Sequence, residues 1–133
     1  MPDLKLSINL AITGGPAWVV EHRETVDAYD VIDVVVTPGT TDLLVEIQPG
    51  AAAQLGLFAI QSSLYGPEIQ FKTSDGTTDS PAVALLGPQI YGHGVATLFA
   101  VAPLSLKLSN SHPAADNTKR ARIQILVGRD ATP

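Results

Sequence analysis

The chain contains no cysteine. That excludes disulfides, thiol nucleophiles and metal sites built on thiolates. Charge is scarce as well: Asp, Glu, Lys and Arg make up 16% of the residues, against roughly 25% in an average globular domain. Less surface is therefore made for bulk water, which leaves two readings open. One is a compact β domain with a Thr, Ser and Gln exterior; the other is a domain whose surface is partly covered in an oligomer. Eight basic residues against thirteen acidic ones give a net charge of -5, so a basic groove for a nucleic-acid backbone is not expected. Aromatic residues are few: one Trp, three Tyr and three Phe. No run approaches the ~18 apolar residues of a helical membrane span. The opening MPDLKLSINLAI interleaves Asp3, Lys5, Ser7 and Asn9 with apolar residues, unlike the basic-then-apolar layout of a signal peptide.

What the sequence does contain is period-two alternation. Leu4, Leu6, Ile8, Leu10 and Ile12 share one face and Asp3, Lys5, Ser7, Asn9 and Ala11 the other, which predicts a strand ended by Gly14, Gly15 and Pro16. A short strand starts at Trp18. The β-branched YDVIDVVVT at 29–37 predicts a strand running into a Pro38-Gly39 turn. Further strands are expected at 42–48, with Leu43, Val45 and Ile47 inward, then at 55–61, 68–73 and 82–86. Glycines and Pro88 place a loop around Ile90 and Tyr91. The segment 95–101 is apolar on both faces, as in the middle of a sheet, and alternation returns at 104–109 and 121–127. Eight or nine short strands with turn signals between them predict one all-β domain over 1–133, an antiparallel β-sandwich of jelly-roll type. A β-barrel is the structural alternative.

The search for chemistry is mostly negative. His22, His93 and His112 stand too far apart for a compact metal-ligand spacing with Asp27 or Asp30 and read as loop or surface residues. Neither Ser62 nor Ser63 lies in a nucleophile elbow. Asp75 and Asp79 in DGTTD fall short of a calcium-loop pattern and read as a polar turn. No glycine-rich phosphate cradle is present, and no cofactor or catalytic residue is assigned. Trp18 is expected to cover one end of the core.

Two features point to surfaces instead. Leu44, Leu98 and Leu126 fall on the faces opposite the inward set, so they either form a second buried surface or pack against loops. Charge is also segregated: residues 21–46 are acidic, with Asp33 among them, and residues 107–129 are basic, with Arg122 among them. Such segments either steer register within a chain or pairing between chains, or are solvated edges with no partner.

The overall cadence resembles the small all-β virion proteins that tailed bacteriophages place on their heads or tails. The resemblance is carried by the N-terminal strand, TTDLLVEIQPG, EIQFKTSDG, the PQIYGHG loop, VATLFAVAPLSLKLSN and the terminal RIQILVGRD. It implies a virion structural role without catalysis: self-association, commonly as a trimer, and attachment to other virion proteins of a capsid or tail. The alternative is a β-sandwich module binding glycans or a host surface through Trp18, Tyr65 and Tyr91, and a small hydrolase ranks last.

Overall fold

The computed structural model describes residues 3–47, 55–91 and 104–129. Among them are ten strands: β1 (Asp3–Ala11), β2 (Ala17–Thr25), β3 (Ala28–Val36), β4 (Thr40–Glu46), β5 (Leu55–Ser62), β6 (Gly66–Ser74), β7 (Val83–Leu85), β8 (Gln89–Tyr91), β9 (Ser105–Asn110) and β10 (Ala121–Arg129). All pair antiparallel, in three sheets. One is the hairpin β1-β2; the others are four-stranded, ordered β3-β10-β5-β8 and β4-β9-β6-β7.

Neither four-stranded sheet closes on itself, so the barrel alternative is not met. The strand count exceeds the expected eight or nine. The expected loop around Ile90 and Tyr91 is in fact β8, paired through Ile90 to Ala59 of β5. Three residues between Pro88 and Gly92 are too few for alternation to reveal a strand. The expected strand at 95–101 and Leu98 lie outside the described residues.

Alternation places one buried cluster where the two large sheets meet. Ile123, Ile125 and Val127 of β10, Phe58 and Ile60 of β5, Phe71 of β6, and Leu106 and Leu108 of β9 all belong to it. Phe58 and Phe71, from opposite sheets, lie 6.4 Å apart between ring centroids. Burying such side chains contributes roughly 1.5–3 kcal/mol each.

Local chemistry fixes the turns that connect the sheets. Thr37-Pro38-Gly39-Thr40 closes with Thr40 N–H donating to the Thr37 carbonyl at 3.2 Å, and Gly39 takes φ +83°, as a Pro-Gly type II turn requires. A bulge follows: Asp42 has φ 52°, and its N–H donates to the Ser109 hydroxyl at 3.0 Å. Asn110 is fully buried at the end of β9. Its amide donates to the carbonyls of Val36 and Lys119 at 3.1 and 2.7 Å, while its side-chain oxygen accepts the His112 N–H at 3.1 Å.

The hairpin β1-β2 stands apart from this core. Its base is anchored at Gly128 of β10. A Cβ there would sit 2.7 Å from Leu4 and 3.2 Å from Val26, so the missing side chain is what lets the hairpin rest on the sheet. Val26 is fully buried, and Asp27 N–H donates to the Arg129 carbonyl at 3.0 Å. Beyond this anchor the hairpin is exposed. Trp18, expected over one end of the core, is 66% exposed, because its strand belongs to this arm and not to either large sheet.

Candidate functional site: two uncovered apolar surfaces

Pairing across the arm sets its faces. Ile8 opposes Val20 and Leu10 opposes Trp18, and directly opposed residues of antiparallel strands share a face. The arm is therefore amphipathic toward its tip: Leu4, Leu6, Ile8, Leu10, Trp18 and Val20 share one face with His22, which lies opposite Leu6 nearer the base, while Lys5, Ser7, Asn9, Glu21 and Arg23 lie on the other with Val19. At the base this apolar face rests on the sheet through Leu4. Farther out it rests on nothing among the described residues, and Leu10 is 51% exposed.

The second surface is the outer face of the sheet β3-β10-β5-β8. Register aligns Val31 with Leu126, Leu126 with Ala59, and Ala59 with Ile90. One apolar row thus crosses all four strands, with Val31 64% and Ile90 45% exposed. Together with Pro88 and the stems of Gln61 and Gln124, the row lines an open depression of 360 Å³. The neighbouring row is polar and internally satisfied. Gln61 donates to Gln124 at 2.8 Å, and Arg122 holds Asp33 through Nε at 3.1 Å and Nη2 at 2.5 Å. This arginine fork pulls the Asp33 carboxyl below its usual range.

Asp33 and Arg122 therefore pair within the chain, diagonally across β3 and β10, and Asp30 and Arg129 form a second such pair. Of the roles open to the segregated charges, these contacts serve register within the chain.

The outer face of the other large sheet differs in character. Leu44 is 56% exposed, but it lies opposite Lys107, among the ion pairs Lys107–Asp79 at 2.7 Å and Lys72–Asp42 at 3.3 Å. Leu44 and Leu126 thus sit on different sheets, and the fold does not gather them.

The three aromatic residues of the ligand-patch expectation also have separate settings. Trp18 is on the arm. Tyr65 lies in the β5–β6 turn, where its hydroxyl accepts the Ser62 N–H at 3.2 Å. Tyr91 stacks on Phe58 at 5.8 Å and donates to Gln89 at 2.6 Å, with burial raising its hydroxyl pKa.

The residues weighed for chemistry are occupied with structure. Ser62 and Ser63 hydroxyls accept the backbone N–H groups of Leu64 and Arg122 at 3.2 and 2.9 Å. Asp75 accepts the N–H groups of Thr77 and Thr78 at 2.9 and 2.7 Å, which lowers its pKa and makes DGTTD the expected polar turn. His22 lies on exposed β2. His112, expected at the surface, is largely covered, with 15% side-chain exposure beside Glu68, and His93 is outside the described residues. Among the described residues, no three His, Asp or Glu side chains gather as a metal site, and no helix is long and apolar enough to cross a membrane.

Sequence reasoning marked Leu126 and Trp18 separately. It missed Val31, Ala59 and Ile90, because a row across four strands exists only once register is known. Compared with known proteins, the chain matches no family model, and no curated protein or solved structure matches it significantly.

Proposed function

We propose that this chain is a structural protein that works by assembly: a jelly-roll sandwich that associates with copies of itself and decorates or completes a phage capsid or tail. The observation that carries the jelly-roll reading is the nesting of its strands. Setting the arm aside, the first strand of the body, β3, pairs with the last, β10; β4 pairs with β9, β5 with β8 and β6 with β7. That is the pairing of one long hairpin rolled into two facing four-stranded sheets, the double Greek key of viral capsid proteins, lectins and cupins.

Because one fold hosts many functions, the surfaces must choose among these. Assembly is favoured by the two uncovered apolar surfaces and by the polar groups that border them, which are already satisfied within the chain. Glycan recognition asks for rings gathered on one concave surface, and Trp18, Tyr65 and Tyr91 lie in three separate settings. The resemblance to phage head and tail proteins adds the particle as the place of work, other virion proteins as further partners and three copies as the expected number.

Light scattering of the purified protein across a concentration series tests this reading. A mass that settles at three times that of one chain supports it in full. Leu126→Asp should then shift the mass toward one chain while the far-ultraviolet circular dichroism stays that of the folded protein. A single-chain mass at every concentration overturns self-association.

A further inference from the structure

The arm presents an apolar face that nothing among the described residues covers, and the sheet beside its anchor presents an open apolar depression. We infer that the two are halves of one interface: the arm of one copy lies across the outer face of the sheet β3-β10-β5-β8 of another, with Leu10 and Trp18 over the row Val31–Leu126–Ala59–Ile90. The inference rests on the proposed self-association and names the surfaces through which it occurs.

Three observations select a second copy as the occupant. First, an isolated two-stranded hairpin is marginal in water and needs a third layer or strand to persist. Beyond Leu4 and Leu6 this one has neither among the described residues, yet its register runs unbroken from Asp3↔Thr25 to Ala11↔Ala17. Second, the surfaces match in character. The arm face from Ile8 outward is apolar, and the row it would meet carries no ionised group; the nearest charges, Asp33 and Arg122, neutralise each other. Docking then strands no charge, while Ser7, Asn9, Glu21 and Arg23 stay on the outward face of the arm. Third, the areas are adequate. The exposed side chains offer roughly 500 Å² on the arm and roughly 400 Å² on the sheet, so two copies that exchange arms bury about the 800 Å² per partner of a standard stable interface, whereas in a ring of three each arm-on-sheet contact buries about 450 Å² per partner.

The absence of cysteine makes the test direct. Leu10→Cys and Ile90→Cys are prepared as separate proteins, mixed, and joined with a short bis-maleimide. Covalent pairs forming in the mixture in preference to either variant alone support the inference; pairs forming only in Leu10→Cys alone, arm against arm, overturn it. A second pair of variants needs no cross-link. Trp18→Asp should raise the dissociation constant on the order of thirtyfold or more, as the loss of a central aromatic anchor does. Val19→Asp, on the opposite face of the same strand, should change it less than about threefold. Equal losses at the two positions overturn the inference. The sole tryptophan supplies a third readout, since its emission should shift to the blue as wild-type protein associates. A mass of several chains with water-exposed Trp18 emission defeats the arm interface alone and leaves self-association standing. A single-chain mass at all concentrations defeats both.

Discussion

Asn110 shows how much of this fold depends on single polar side chains. Its three hydrogen bonds join the end of β9 to the last carbonyl of β3 and to both ends of the 111–119 loop, all with the side chain fully out of water. Truncation in Asn110→Ala leaves two carbonyls and one N–H without this partner, and a buried group so orphaned costs about 1–3 kcal/mol. Urea unfolding should show a loss of about 3 kcal/mol with an unchanged slope, since no change in the exposed area is involved. None of this was legible in the sequence, where Asn110 is one more polar residue at a strand end. Leu44 and Leu126 were legible as outward-facing from parity alone. Their different surroundings were not, because Lys107 reaches Leu44 only through the β4–β9 register.

Among elements, the long strands with one covered face were readable and the others were not. β10 alternates strictly because Ile123, Ile125 and Val127 face the core. β2 reads AWVVEHRET, and only its first residues looked like strand, since the half nearer the base, Glu21–Thr25, is polar at every position and shows no alternation. Charge helps hold the elements in register. Asp33 is held below its ordinary carboxyl value of 3.8 chiefly by its hydrogen bonds to Arg122, and Asp79 by its hydrogen bond to Lys107. Asp75 and Asp116 are lowered by hydrogen bonds within their own turns. With folded values below unfolded ones, the unfolded chain takes up protons first as the solution is acidified. The resulting stability is complete well above pH 3.8 and is lost as the pH falls from there through the lowered values. Denaturant midpoints should therefore hold steady from neutrality to about pH 5 and drop below pH 4. Asp33→Asn, which cannot titrate, should flatten part of that drop.

At the scale of the whole molecule, the nested pairing divides the chain into a body and an arm with different stabilities. In the body the first strand must find the last, so β10 lies between β3 and β5 and every strand packs on a cluster to which β10 contributes. Among the described residues the arm meets this body at its base, around Leu4, Val26 and Gly128 and where β2 comes beside β5. Damage at the centre of β10 should therefore spread through both large sheets and stop at the arm. Ile125 is fully buried there, and Ile125→Ala removes side-chain volume at a site flanked on both sides, a change that costs about 2–5 kcal/mol. Hydrogen exchange at low protein concentration, where copies are separate, should show amides of β3, β5, β9 and β10 losing protection together by that amount. Amides of β1 and β2 beyond the anchor should exchange quickly in both proteins. A matching loss of protection along the arm would instead make it part of the body's cooperative unit, and would remove the physical reason for it to seek cover on another copy.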